Sequence, residues 1–238
     1  DNAYFGILAA AARHVGAEIL TFGAHTDCDF RLAECALRAN GSTVRLAYEG
    51  QEISYCLNVP GRHWVQNSLA IMAALSALRA DLSAAAHAIA EVLQPPGRGR
   101  SHQIQTPDFV FELIDDSYNA SPSSVMAALD TLKHARPPRT AVLADMLELG
   151  DGGPDYHRKV GRRLADLGIE RVIAVGELSV HISDHCAAEA LHFVNTDELL
   201  ADCPEFFQDE TILVKGSRGM QLDRFVTSMT ASAGEATC

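Results

Sequence analysis

The sequence predicts an α/β protein of two domains, the second of which is doubly wound around a mostly parallel sheet. Beyond residue 105, apolar runs of strand length alternate with helix-like segments, a pattern typical of parallel strands joined by right-handed crossovers. The chain has 238 residues, 47% of them apolar and 21% charged, which is enough to form more than one core. Residues 95–108 are rich in Pro, Gly and Arg, so we expect a linker there and a domain boundary near residue 104.

The elements of the first part follow from hydrophobic periodicity and turn residues. Residues 4–14 have the apolar spacing of a helix, and "AEILTFG" predicts a short strand that ends at Gly23. Two alternating runs on either side of Glu49-Gly50-Gln51 indicate a hairpin. The segments "HWVQNSLAIMAALSALRA" and "LSAAAHAIAEVLQ" predict two packed helices that complete this part.

The second part consists of alternating strands and helices. The predicted strands span residues 109–115, 140–145, 171–175 and 211–215. The predicted helices span residues 122–134, 155–167, 178–189 and 219–230.

Composition excludes several classes of partner. The net charge of −12 and the lack of a Lys/Arg-rich run argue against nucleic acid. The six cysteines show no metal-binding spacing, which indicates reduced thiols and no metal site. The apolar helical segments are shorter than the roughly 20 residues that span a bilayer, and no leader precedes them. We therefore expect a cytoplasmic monomer, although the opening lacks an initiating Met and begins within a pattern, as a cut chain would.

The stretch "DDSYNASP" places polar residues where a predicted strand ends and a helix begins. Asp115 and Asp116 would lie at the carboxyl end of that strand, where open α/β sheets bind ligands and where a carboxylate can accept hydrogen bonds from ribose hydroxyls. Ser121 before Pro122 predicts a helix cap. A cap does not require Tyr118 or Asn119, so these side chains are candidates for ligand contact.

Two basic turns are candidates for binding anions. "PGRGRSH" places Arg98 and Arg100 between glycines, and guanidinium groups match phosphate oxygens, although a flexible linker explains the same residues. "LVKGSRGM" places Lys215, Ser217 and Arg218 at a strand end before a helix, whose free N–H groups favour anions.

"VLADMLELG" ends another strand with Asp145 and Glu148, and His157 follows in the next helix. A lone histidine is more often a packing residue than a catalytic one. The phosphate-binding loop Gly-x-x-x-x-Gly-Lys-Ser/Thr is absent, because none of the three lysines of the chain follows a glycine.

Five motifs in this order, "GRHWVQNSLA", "GRGR", "DDSYNASP", "ADMLELG" and "LVKGSR", resemble those of the Mur ligases, the ATP-dependent amide-forming enzymes of peptidoglycan synthesis. The resemblance covers nearly the whole chain. It implies that residues 1–104 are the carboxyl-terminal part of an α/β central ATP-binding domain and that residues 105–238 are a carboxyl-terminal Rossmann-like ligase domain. In this family the phosphate loop, the magnesium-binding carboxylate and a carbamylated lysine lie upstream of the matching region.

The resemblance also implies roles for individual side chains. On the nucleotide side, Asn67 would approach the adenine, Arg98 the ATP phosphates and Asp115 or Asp116 the ribose, while Tyr118 and Asn119 would line the nucleotide edge. Lys215, Ser217 and Arg218 would be catalytic, facing the acceptor or an acyl phosphate. This chain departs from the family pattern at Trp64, where Asn is usual, and at Arg100, where Gln is common.

The activity implied is ATP-dependent joining of D-alanyl-D-alanine to a UDP-N-acetylmuramoyl-tripeptide through an acyl phosphate, with Mg²⁺ bound mostly by upstream residues. The 238-residue chain alone is expected to be inactive. Two alternatives stay open: a folylpolyglutamate synthase-like ligase, which "DDSYNASP" and "KGSR" fit less well, and a non-catalytic nucleotide-binding module. The third residue of the peptide, diaminopimelate or lysine, is not determined by this part of the sequence.

Overall fold

The computed structural model describes residues 4–38, 41–59, 61–106, 110–203, 205 and 209–232. The chain forms two compact units, Asp1–Gln94 and Pro95–Cys238. The division lies before the boundary that we expected near residue 104. It does so because Arg100–Gln105 forms a strand of the second sheet rather than part of a linker.

The first unit contains a four-stranded sheet with the order β1-β2-β3-β4. β1 and β2 are parallel, and the other neighbouring strands are antiparallel. The elements of this unit are α1 (Phe5–His14), β1 (Phe22–Gly23), β2 (Phe30–Arg38), β3 (Gly41–Tyr48), β4 (Gln51–Leu57), α2 (Arg62–Ala77) and α3 (Leu82–Ala90).

The predicted hairpin and the two predicted packed helices of the first unit are confirmed. Glu49 and Gly50 join β3 to β4 with φ values of 49° and 75°, the left-handed geometry that suits the twist of a two-residue hairpin. α2 and α3 pack on the sheet through buried side chains that include Leu69 and Ile89. The predicted strand ending at Gly23 is shorter than expected, because only Phe22–Gly23 pairs with β2.

The second unit contains a six-stranded sheet with the order β5-β6-β10-β7-β8-β9. All neighbouring strands are parallel except β5, which runs antiparallel to β6 at the edge. The elements are β5 (Arg100–Gln105), β6 (Val110–Asp116), α4 (Pro122–Leu132), β7 (Arg139–Ala144), α5 (Gly153–Leu167), β8 (Arg171–Val175), α6 (Val180–Ser183), β9 (Glu189–Phe193), α7 (Thr196–Ala201), β10 (Thr211–Lys215) and α8 (Leu222–Ser232).

Helices cover both faces of this sheet, as the predicted doubly wound fold requires. Successive strand residues point to opposite faces, so Val142 contributes to the core under α7 and α8, whereas Leu143 contributes to the core under α4, α5 and α6. β7, β8 and β10 are buried on both sides, which explains their nearly continuous apolar sequences. Residue 109, the predicted start of β6, lies outside the described residues.

Local sequence sets the helix ends. The predicted cap of α4 is confirmed: the Ser121 hydroxyl accepts a hydrogen bond from the Ser124 N–H at 3.4 Å, and the Ser124 hydroxyl accepts from the Ser121 N–H at 2.9 Å. α5 ends at Leu167 and is capped by Gly168, whose φ of +63° is favourable for glycine because it lacks a Cβ atom.

The predicted helix over residues 178–189 is wrong. Only Val180–Ser183 is helical, and the chain then passes through Ala187, whose φ is +52°, into β9. The Ala- and His-containing sequence of this region has helix-like spacing, but only Glu189 of it belongs to β9, and its buried residues Ile182 and Cys186 pack in the core under α4 and α5. Among the described residues, no helix is long and apolar enough to cross a membrane.

Candidate functional site

Three turns meet at the carboxyl edge of the second sheet. They follow β6, β10 and β7, which are neighbours in that order. Lys215, the last residue of β10, pairs in register with Asp116 on one side and with Leu143 on the other. The carboxyl edge of an open parallel sheet is where ligands bind, and these three turns therefore define the candidate site.

The Lys215 ammonium group links the turn after β6 to the end of β10. Its side chain is 3% exposed, and Nζ donates to Asp116 Oδ2 at 2.7 Å and to the Asn119 carbonyl oxygen at 2.9 Å. A buried ammonium needs such partners because the loss of water is costly. The pair therefore places one fixed positive charge and one partly exposed carboxylate at the centre of the site.

Asp115 has a different environment from Asp116. It is buried, and one carboxylate oxygen accepts from the Gly97 N–H at 2.9 Å. The other accepts from the Ser117 N–H at 3.2 Å and from the Ser117 hydroxyl at 2.6 Å. The carboxylate is thus engaged in fixing the turn around Gly97 to the end of β6.

Gly97 allows that turn to approach the chain closely. Its φ is +74°, and a Cβ atom at this position would lie 2.9 Å from the Tyr118 backbone nitrogen. The Tyr118 N–H in turn donates to the Gly97 carbonyl oxygen at 3.0 Å. Any larger residue would push Tyr118 away, so this glycine is needed for the local geometry.

An exposed aromatic ring lies close to two guanidinium groups. The Cζ atom of Arg98 is 4.2 Å from the centroid of the Tyr118 ring, and Cζ of Arg218 is 6.0 Å from it. Arg218 also donates to Asp223 Oδ2 at 2.9 Å. The Tyr118 ring is 44% exposed, so this part of the site presents positive charge and a flat apolar surface to a ligand.

Ser217 connects all three turns. Its hydroxyl accepts from the Leu147 N–H at 2.9 Å and donates to the Ala120 carbonyl oxygen at 3.5 Å, while its own N–H donates to the Asp145 carbonyl oxygen at 3.1 Å. The residue is 5% exposed. These contacts make Ser217 a link between the turns after β6 and β7.

Asp145 fixes the start of the turn after β7. Its carboxylate accepts from the Leu178 N–H at 3.1 Å and from the Ser179 N–H at 2.7 Å. Gly176 makes room for it, because a Cβ atom there would lie 2.4 Å from Asp145 Cγ. Asp145 therefore joins the ends of β7 and β8.

The structure brings together most of the predicted site residues. Those that lie at the carboxyl edge of the second unit are Arg98, Asp115, Asp116, Tyr118, Asn119, Lys215, Ser217 and Arg218. Asn67 lies in the first unit, exposed on α2. Of the two departures from the family pattern, Trp64 packs against the core of the first unit, and its buried Nε1 has no hydrogen-bond partner among the described residues.

The second departure, Arg100, begins β5 and lies opposite Asp115 in the strand register. It affects a neighbouring titratable group. Burial, and to a smaller extent the positive charge of Arg100, lower the pKa of His102 on the same strand. Both effects favour the neutral form of the His102 ring.

Sequence reasoning missed the backbone donors that organise the site. The side chains of Gly97 and Leu147 do not indicate that their N–H groups organise the site. Each N–H group has this role because of a partner that is distant in the sequence. The "GRGR" glycines were the available signal for the first, since a positive φ often marks a close backbone approach. Within the described part of the chain, no three His, Cys, Asp or Glu side chains are grouped so that they could hold a metal ion.

Comparison with known families identifies the class of protein that this fold and this site define. Residues 99–218 match the family described as Mur ligase, glutamate ligase domain, and residues 1–75 match the Mur ligase middle domain. The chain therefore belongs to the Mur ligase family.

Particular relatives narrow the resemblance. A UDP-N-acetylmuramoyl-tripeptide–D-alanyl-D-alanine ligase of Rickettsia prowazekii is 29% identical, over 95% of this chain and 50% of the relative. The ligase of the same name from Escherichia coli is 30% identical, over 84% and 44%. A crystal structure of MurF from Acinetobacter baumannii superposes with a TM-score of 0.77 at 25% identity, covering 97% of this chain and 50% of that one. The chain thus spans about half the length of the curated relatives that it matches.

Proposed function

We propose that the chain is part of an ATP-dependent ligase that joins D-alanyl-D-alanine to a UDP-N-acetylmuramoyl-tripeptide in peptidoglycan synthesis. The observation that carries the proposal is the buried Lys215 ammonium group at the carboxyl edge, which pairs with Asp116. The turns beside it also carry Arg98 and Arg218, both close to the Tyr118 ring. A ligase reaction that involves charged phosphoryl and acyl phosphate groups needs a fixed positive charge in the active site to stabilise them. The names of the relatives support the same substrates.

The turn after β6 suits the nucleotide. ATP, when bound, would supply the phosphoryl group that converts the tripeptide carboxylate into an acyl phosphate. Arg98 would bind its phosphates, because guanidinium groups match phosphate oxygens, and the exposed Tyr118 ring would lie along the nucleotide edge with Asn119. Of the two adjacent carboxylates, Asp116 fits the ribose contact better, because Asp115 already accepts three hydrogen bonds from Gly97 and Ser117.

The turn after β10 suits the reacting groups. Lys215 and Arg218 would stabilise negative charge on the acyl phosphate or on the acceptor carboxylate, which is the electrostatic role that fixed cations perform best in a partly dehydrated site. Ser217, whose hydroxyl links Leu147 to Ala120, would hold this turn in place. Ser217 would therefore contribute to catalysis by positioning the turn after β10.

The two compact units correspond to two domains in this proposal. Residues up to about 94 would belong to the central ATP-binding domain, with Asn67 of α2 approaching the adenine. The remaining residues would form the ligase domain. Mg²⁺ would accompany ATP, and we assign it no ligand among the described residues.

The proposal is tested by assaying the full-length protein with ATP, Mg²⁺, UDP-N-acetylmuramoyl-tripeptide and D-alanyl-D-alanine, and by detecting the ligated product with mass spectrometry. We expect product and ADP in equal amounts, and no ligated product when the dipeptide is omitted. The 238-residue chain alone should form no product, because its sequence contains no phosphate-binding loop.

The same assay separates the alternatives. Ligation of glutamate to a folate in place of the dipeptide reaction would indicate a folylpolyglutamate synthase-like enzyme. Nucleotide binding without turnover on either substrate pair would indicate a binding module. Either result would contradict the proposed function.

A further inference from the structure

The backbone of the turn after β7 is fixed by three different elements. Three successive N–H groups each donate to a separate partner: Asp145 to the Val175 carbonyl oxygen at 3.1 Å, Met146 to His157 Nε2 at 3.0 Å and Leu147 to the Ser217 hydroxyl at 2.9 Å. These partners lie on β8, on α5 and on the turn after β10. Such a set of contacts leaves the turn little freedom.

The next residue, Glu148, is held in an unusual conformation. Its φ is +63°, a left-handed value that is unfavourable for residues other than glycine, asparagine and aspartate. Strained backbone persists only where the surroundings enforce it, and it is frequent at ligand-binding positions. The Glu148 side chain is exposed, and within the described residues no hydrogen bond or ion pair engages its carboxylate.

His157 is the least accessible of the three partners. It is fully buried, Nδ1 lies 2.7 Å from the Gly153 carbonyl oxygen, and Nε2 lies 3.0 Å from the Met146 nitrogen. A carbonyl oxygen can only accept and an N–H can only donate, so the proton is on Nδ1 and Nε2 is the acceptor. The ring thus connects α5 rigidly to the turn that carries Glu148.

The sheet order places this turn on the far side of β10 from the proposed nucleotide turn. β10 lies between β6 and β7, and Ser217 at its end contacts both flanking turns. If ATP lies over the turn after β6 and the reacting groups lie over β10, the remaining ligand, the amine acceptor, has the turn after β7 available. A carboxylate there is the complement of an ammonium group.

We propose that Glu148 binds the ammonium group of the incoming amino acid or peptide, and that His157 is a positioning residue that holds the turn of Glu148. This inference rests on the proposed function. It adds where the amine acceptor binds and which charged groups recognise it. Arg218, on the adjacent turn after β10, supplies the cation that the carboxylate of the same zwitterionic acceptor requires.

The recognition of the ammonium group is tested by binding of D-alanyl-D-alanine and N-acetyl-D-alanyl-D-alanine to the full-length protein, measured by calorimetry in the presence of a non-hydrolysable ATP analogue. The wild-type protein should prefer the free amine by about 10-fold, the size expected of a charge-assisted contact. Glu148→Gln should abolish that preference. The matched control is Glu177→Gln, which removes an exposed carboxylate after β8 and should leave the preference unchanged.

The role of His157 is tested with two amides of different length. Glutamine can place an oxygen near the Nε2 position and so accept from the Met146 N–H, whereas asparagine reaches only the Gly153 carbonyl oxygen. His157→Asn should raise the KM for the dipeptide about 10-fold and change the KM for ATP less than about 2-fold, and His157→Gln should restore the dipeptide KM. A purely structural histidine would instead lower the apparent kcat through the fraction of folded protein and leave both KM values unchanged.

Several results would overturn the inference. An unchanged preference for the free amine in Glu148→Gln contradicts it, and so does an equal loss in Glu177→Gln, which would reflect general surface charge. For His157, unchanged KM values with a lower apparent kcat contradict the positioning role, and so does a parallel change in both KM values. Failure of the proposed function is distinguishable, because the wild-type protein would then ligate no dipeptide and bind neither form of it.

Discussion

Arg139 and Lys215 lie on the neighbouring strands β7 and β10, one at the amino end of the sheet and the other at the carboxyl end. Arg139 donates to both carboxylate oxygens of Glu170, at 3.0 and 2.8 Å, and to the carbonyl oxygens of Lys133 and Gly168, each at 2.9 Å. Lys215 donates to Asp116 and Asn119. Both cations are largely buried and well bonded.

The surroundings of the two cations differ. The partners of Arg139 follow the helices α4 and α5, and they join the loops that enter the sheet. Lys215 lies among turns that expose the Tyr118 ring and the Arg218 guanidinium group. A dense polar network therefore does not identify a binding site in this fold. The direction of the parallel strands does, because their carboxyl ends open into a crevice.

The largest expected effect is that of Lys215→Met in the full-length protein. Removing the fixed cation should lower kcat for ligation at least about 100-fold, in line with the loss of one stabilising group in an oxyanion-type site. The KM for ATP should rise as well, because Asp116 loses its partner. Steady-state ADP release measures both quantities. Activity within about 3-fold of the wild type would contradict a role in the reaction.

A smaller effect is expected for Asp115→Asn, which preserves the size of the side chain. The amide group would face either the Gly97 N–H or the Ser117 donors, and one buried hydrogen bond would be lost at a cost of about 1–3 kcal/mol. Arg98 would then be less well positioned, and the KM for ATP should rise about 10-fold.

The control for this change is Asp130→Asn on α4, which alters an exposed pair with Arg163 and should leave the KM for ATP unchanged. Equal KM values in all three proteins would show that the turn around Gly97 does not depend on Asp115.

Arg139→Met should produce the opposite result to Lys215→Met. We expect the free energy of unfolding to fall by about 1–2 kcal/mol, because several hydrogen bonds are lost while Glu170 stays partly solvated. The kcat and KM values should not change. Urea denaturation and the ligation assay together test this, and a loss of activity at full stability would remove the distinction between the two ends of the sheet.

Acid should weaken the same contact. Hydrogen bonding from Arg139 is the main reason that the pKa of Glu170 is below its usual value of 4.5. A lowered folded-state pKa adds stability that is present above the usual value and is lost as the pH falls through the lowered one. The difference in unfolding free energy between wild type and Glu170→Gln should therefore shrink below about pH 4.5. A difference that is independent of pH would contradict this account.

In the second sheet, the buried parallel strands could be predicted from sequence, whereas the edge strands β5 and β9 could not. Apolar runs such as that of β8 are long enough to exclude a loop, and their observed ends agree with the predictions within about one residue. β5 could not be predicted, because its arginine and the glycines that precede it indicate a linker unless the partner strand is known. β9 was hidden because five residues next to an alanine-rich segment carry too little periodicity.

The residues of the candidate site could be predicted from the sequence, but the contacts between them could not. Strand ends identified Asp116 and Lys215 separately, but their contact depends on β10 inserting between β6 and β7, and strand order is not encoded in local sequence. The alternation of β6 places Asp115 on the face of Phe111 and Leu113, the buried side. The alternating pattern of β6 therefore distinguishes the buried Asp115 from the partly exposed Asp116.

The most direct test of the contrast between the two ends of the sheet is amide hydrogen exchange of the full-length protein with and without a non-hydrolysable ATP analogue and D-alanyl-D-alanine. We predict that saturating ligands slow exchange in peptides covering residues 97–99, 116–121, 145–149 and 215–219, and leave peptides covering residues 133–139 and 168–171 unchanged. Slower exchange confined to the amino-end peptides, or unchanged exchange at the carboxyl end under conditions where calorimetry shows both ligands bound, would contradict the assignment of the site.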